Sequence, residues 1–143
     1  MIEHIQHSGY LLALIIRKDH NREGIEFFTK DEDSLQIGYM KRPKDYIILP
    51  HGHNEITRSI LKTKEVLILK SGKIRVDLYD NNLSYIESRI LYPGDIILLN
   101  EGGHGFKILE ESEIVEVKQG PYAGMDDKIK FNPIDDSLIN LKS

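Results

Sequence analysis

"EVLILKSGKIRV", Glu65 to Val76, is the stretch on which the fold turns. Its apolar residues come in short runs rich in Ile, Leu and Val, with Ser71-Gly72 as turn chemistry between them. Downstream, Ile74, Val76 and Leu78 alternate with Arg75, Asp77 and Tyr79, as in a strand with one buried face. The same signature recurs along the chain. Strands are predicted over Tyr10–Arg17, Ile25–Thr29, Leu35–Met40, Tyr46–Pro50, Thr57–Leu61, Glu65–Lys70, Ile74–Tyr79, Tyr85–Leu91, Ile96–Leu99, Gly105–Leu109 and Glu113–Lys118. Turn residues separate them at Asp19–Gly24, Lys30–Ser34, Arg42–Asp45, Asp80–Asn82, Pro93-Gly94, Glu101–Gly103 and Glu110–Ser112. So many short strands predict an all-β antiparallel sandwich or barrel. A short terminal helix is the one exception. Asn132 and Pro133 suit a helix start, Asp135 and Asp136 fall in its first turn, and Ile134, Leu138 and Leu141 lie on one stripe.

The chain's 143 residues suit one domain, 1–143. Hydrophobic residues make up 40% and charged residues 29%, a globular profile. A net charge of -4 gives no long-range attraction to nucleic acid or anionic lipid, so neither is expected as a partner. No cysteine is present, which removes disulfides, thiolate metal sites and cysteine nucleophiles. The apolar run Leu11–Ile16 is far short of the roughly 20 residues of a spanning helix, and no signal-peptide pattern precedes it. The expectation is a soluble cytoplasmic protein.

"LPHGHNE", Leu49 to Glu55, holds the main chemical signal. Residues two apart in an extended chain face one side, so His51 and His53 point together, and Glu55 joins them if the strand continues. Taken alone, the pair reads equally as two ligands or as two solvated loop residues. "PGDIILLNEGGHGF" adds His104 after a buried strand and a Gly-Gly turn.

Together these stretches resemble the cupin superfamily. Its first motif is Gly-x5-His-x-His-x3–4-Glu-x6-Gly, and its second is Gly-x5-Pro-x-Gly-x2-His-x3-Asn. His51, His53, Glu65 and Gly72 fall in order, and Glu65-x6-Gly72 has the family spacing. Gly94 and His104 carry the second motif, so the resemblance covers about residues 35–118. The departures are specific. Asp45 stands for the first glycine, eleven residues separate His53 from Glu65, Asn100 replaces the proline, His104 comes one residue early, and Ile108 replaces the asparagine. "NEITRSILKTK" reads as a hairpin inserted into the first motif, which leaves Glu55 or Glu65 as the carboxylate.

The resemblance implies a cupin jelly roll with one divalent transition metal on His51, His53, Glu65 and His104. Imidazole and carboxylate ligands suit Fe, Mn, Ni, Cu or Zn and leave coordination positions open. It also implies a small polar, carbohydrate-related ligand and a homodimer. In an isomerase or epimerase, His51 or His53 would be the general base and Arg58 would hold a phosphate; Arg58 reads equally as a solvated partner of Glu55 or Glu65. A metal-dependent dioxygenase and a non-enzymatic binding protein are the alternatives. Gln36, Tyr39, Tyr46, Lys118 and Gln119 are weaker pocket candidates. His4, His7, His20 and the acidic run Glu110–Glu113 read as solvated. No dinucleotide loop, phosphate loop or nucleophile elbow occurs.

Overall fold

The computed structural model describes residues 1–143. Eight strands form: β1 (Ile2–His7), β2 (Tyr10–Ile16), β3 (Gly24–Phe27), β4 (Gly38–Lys41), β5 (Glu65–Tyr79), β6 (Tyr85–Leu91), β7 (Ile96–Leu99) and β8 (Gly103–Lys118). Every ladder is antiparallel, so the all-β expectation holds. No helix is long and apolar enough to cross a membrane. The chain packs as two compact units, one made of Met1–His20 with Thr63–Ser143 and the other of Asn21–Lys62.

The first unit is a six-stranded sheet curled into a half-barrel. β5 organises it. The first part of β5 pairs β7 on one edge, and its last part pairs β6 on that same edge, while β8 follows nearly its whole length on the other. β7 in turn pairs β2, and β2 pairs β1. One face of this ladder is the core. Ile5, Ala13, Ile15, Leu67, Leu69, Ile74, Val76, Leu78, Leu91, Ile97 and Leu99 form a single buried cluster. β2 is covered on both faces, since Leu12 and Leu14 are as buried as Ala13 and Ile15.

"EVLILKSGKIRVDLY" is one strand where the sequence predicts two joined by a turn. "GHGFKILEESEIVEVK" likewise runs unbroken through Glu110–Ser112. The reason lies at their shared irregularity. The β5–β8 register slips between Leu69 and Ile74, and such bulges bend a strand without reversing it. Gly72 makes the bend possible. Its φ is +83°, and a Cβ there would lie 2.2 Å from the Glu111 carbonyl oxygen. A side chain is therefore excluded twice, by backbone conformation and by space.

The convex face of the half-barrel is covered by the C-terminal segment. Ile134 N donates to Tyr79 Oη at 2.9 Å, Phe131 meets the Tyr79 ring edge-on with centroids 4.8 Å apart, and Arg75 reaches Asp136. Gly103 leaves room for Phe131, because a Cβ there would lie 2.9 Å from the ring. Beyond this, Leu141 bridges to Ser88 in parallel. The predicted terminal helix is thus corrected to an extended strap with one 3-10 turn, Asp136–Leu138, which Asp135 caps.

The second unit holds the β3–β4 hairpin. Residues 42–64 form no strand, which corrects the expected strands at Tyr46–Pro50 and Thr57–Leu61 and the expected inserted hairpin. Asp45 takes a left-handed φ of 66°, and Pro43 and Pro50 lack the N–H that a ladder needs. The opposite correction applies at the N-terminus. "IEHIQH" reads as polar, yet it forms β1, because one inward residue, Ile5, suffices to anchor a strand on β2.

Replacing Gly72 with alanine is expected to lower the unfolding free energy by about 2–4 kcal/mol. Urea denaturation followed by circular dichroism measures it, and a loss within error would show that the bend tolerates a side chain.

Candidate functional site

Glu65 opens β5 in phase with Leu67 and Leu69, so its carboxylate points into the concave side with the core. His104 lies near the start of β8, opposite Leu78 and in phase with Phe106 and Ile108. Thirteen steps along β5 lead from Glu65 to Leu78, about 43 Å of extended strand. His104 Nε2 nevertheless lies 3.0 Å from Glu65 Oε2. The curl of the sheet is what closes that gap.

The chemistry of the pair follows from its donors. A carboxylate only accepts, so Nε2 donates, and in the neutral imidazole the lone pair is then on Nδ1. The Glu65 side chain is 8% exposed and that of His104 30%, which leaves the imidazole as the accessible member. Phe106 flanks the ring, with centroids 5.4 Å apart. The hydrogen bond from His104 holds the Glu65 carboxyl below its ordinary value of 4.5, against the opposing effect of burial.

A second ion pair borders the first. Lys118 faces Glu65 directly across the β5–β8 ladder, its Nζ lies 2.9 Å from Asp127 Oδ2, and it stands over the Tyr122 ring. Thr63 Oγ1 donates to the other Asp127 oxygen at 3.0 Å. Lys118 and Thr63 together lower the Asp127 pKa, the lysine more strongly. Lys118 was a weak candidate from sequence, and Asp127 was not one at all. No local pattern marks Asp127, since only the turn after β8 brings it back to the lysine.

The other candidates lie in the second unit. His51 and His53 are exposed, on a segment without regular structure. Their rings meet edge-on with centroids 5.5 Å apart, so they do point together as expected. His51 Nδ1 bonds the Leu49 carbonyl at 2.9 Å, which turns Nε2 outward as its acceptor. Glu55 and Arg58 are exposed, and Arg58 Nη1 reaches only the Ile56 carbonyl, at 3.4 Å. Within each unit, then, one pair of expected ligands comes together: Glu65 with His104, and His51 with His53. Within neither unit do three His, Asp or Glu side chains form a group that could hold a metal ion.

A cleft of about 810 Å³ lies elsewhere on the first unit, lined by Glu3, Arg17, Lys18, Tyr92, Asp95 and Leu141 among others. Three of its charged groups, Glu3, Arg17 and Asp95, belong to one network. Asp95 accepts from Arg17 at 2.8 Å, from the Lys18 amide at 2.9 Å and from the Tyr92 amide at 3.0 Å, and Arg17 also holds Glu3. That network ties the β6–β7 turn to β2. It is architectural, whereas the Glu65–His104 pair keeps a partly exposed imidazole. No family model, curated protein or solved structure matches the chain.

A carboxyl whose pKa is lowered on folding stabilises the fold above its unfolded value and loses that contribution as pH falls through the folded one. Melting temperatures of the native chain and Glu65→Gln should therefore differ most near neutral pH and converge below 4.5. A gap that widened in acid would mean that the bond from His104 is not what holds Glu65.

Proposed function

We propose that the chain is a cupin-like protein that binds a small polar, carbohydrate-related metabolite and moves a proton on it with His104. The Glu65–His104 hydrogen bond carries this reading. Glu65 fixes the ring and its tautomer, and the Nδ1 lone pair is left to take a proton from carbon next to a carbonyl. Glu65 then faces the positive charge that the imidazole acquires. Returning that proton to the former carbonyl carbon, as the hydroxyl proton passes to the former carbonyl oxygen, completes an isomerisation.

One imidazole serves one face of a substrate. Epimerisation needs an acid and a base on opposite faces, so the geometry favours the isomerase over the epimerase. Lys118, held by Asp127, lies beside Glu65 as a cation for the developing enolate oxygen.

The test is solvent-deuterium exchange into a panel of aldoses, ketoses, sugar phosphates and nucleotide sugars. Exchange into one class is expected, with a loss of about 100-fold or more in His104→Asn. No exchange into any member would count against the reading.

Metal binding is the second reading, and one observation favours it. A ring whose Nδ1–H is fixed on a carbonyl, as in His51, presents Nε2 in the manner of a ligating histidine. Iron would suit the dioxygenase alternative. Elemental analysis of protein prepared without added metal should then find a stoichiometric ion. Its loss from His51→Ala or from Glu65→Gln identifies the pair that binds it.

A further inference from the structure

The cleft of about 810 Å³ beside the β6–β7 turn has the size of a small-molecule site. It shares no lining residue with the Glu65–His104 pair or with Lys118 and Asp127. Four segments wall it: the start of β1, residues 17–19, residues 90–95 and the end of the C-terminal strap. One buried carboxylate sets two of these walls. Asp95, 2% exposed, takes the Lys18 amide on one oxygen and the Tyr92 amide on the other. The Lys18 stem packs on Gly94, where a Cβ would lie 2.9 Å from the lysine Cβ. The strap is fixed on the second edge of β6. Ser88 N donates to the Asn140 carbonyl at 2.9 Å, and Lys142 N donates to the Ser88 carbonyl at 3.0 Å.

The charges of the lining do not cancel. Glu3 is shared by Arg17 and Arg89, and Arg89 also holds the Ser143 main-chain oxygen. Asp95 is taken by Arg17, and Asp19 accepts from the amino group of Met1 at 3.2 Å. Each carboxylate side chain thus has its cation, while Lys18 and Lys142 have no carboxylate partner. Ile90, Leu141 and the Tyr92 ring supply apolar surface to the same cleft. Lys73 Nζ stands over one face of that ring, 5.5 Å from its centroid, so the opposite face is the one left for stacking.

We propose that this cleft binds a small flat-ringed molecule bearing a phosphate, with Lys18 and Lys142 on the phosphate and Tyr92 on the ring. A lysine is a compact charge with three rotatable donors on a flexible stem, so two of them can close on one phosphate from different walls. A dianion matches two ammonium groups, whereas a neutral sugar leaves both unanswered. A ring on Tyr92 gains stacking as well as burial. The backbone behind each contact is already hydrogen-bonded, so binding orders little beyond the two lysine stems.

Titration calorimetry of the full chain with phenyl phosphate tests the proposal, beside inorganic phosphate and phenol as its two halves. Phenyl phosphate should bind at one site, about tenfold or more tighter than either half. Lys18→Gln and Lys142→Gln should each weaken it about tenfold. Tyr92→Ala should cut the preference over inorganic phosphate about fivefold. All three side chains belong to exposed residues, so the variants should melt with the native chain. Lys118→Gln, which removes the cation beside Glu65, should leave the affinity unchanged. No saturable binding up to about 10 mM, equal affinity for inorganic phosphate, indifference to both lysine substitutions, or a loss in Lys118→Gln overturns the proposal. The cleft and the proton-transfer site have no residue in common, so the two readings fail separately.

Discussion

Gly72 sits where β5 and β8 bend together, and its left-handed backbone, pressed against the Glu111 carbonyl, accepts no side chain. A straight ladder of that length would hold Glu65 and His104 at opposite ends, about 43 Å apart. Bent, it brings them into hydrogen-bonding contact and stacks Leu67 and Leu69 in one cluster with Ile74, Val76 and Leu78. The core and the Glu65–His104 contact thus have a common cause. The curl that buries the aliphatic side chains is also the curl that closes the site.

The buried charges of the first unit fall into two kinds. Asp95, at 2% exposed, accepts hydrogen bonds from an arginine and two backbone amides. Its capacity is spent on holding a turn, as a buried carboxylate generally requires. Arg75 and Asp77 form a similar closed set with Ser88 beneath the C-terminal strap. The Glu65–His104 pair differs because it is not closed. The imidazole is 30% exposed and its second ring nitrogen has no partner in the set. That openness, more than charge alone, distinguishes this pair from the closed networks.

Much of the fold was legible from local pattern. Tyr85–Leu91 and Ile96–Leu99 are strands with the boundaries that the apolar runs and turn residues predict. Glu65 was marked by its spacing to Gly72 in the family resemblance, with Glu55 as the alternative carboxylate. The failures have a shared origin. Tyr46–Pro50 has the composition of a strand but no partner, whereas "IEHIQH" lacks that composition and has one. Ser71-Gly72 reads as a reversal because glycine supplies the left-handed backbone for a tight turn and for a bulge alike. Which of the two it makes depends on the strand alongside.

The sequence by itself determined the all-β class and most strand positions. These follow from a period of two residues, which is written in neighbouring positions. Tertiary structure alone decided that two predicted hairpins are two long bent strands, that Glu65 meets His104, and that Lys118 is held by Asp127. Those outcomes depend on which strand lies beside which and in what register. Register is set by contacts between residues far apart in the chain, and no local window contains them.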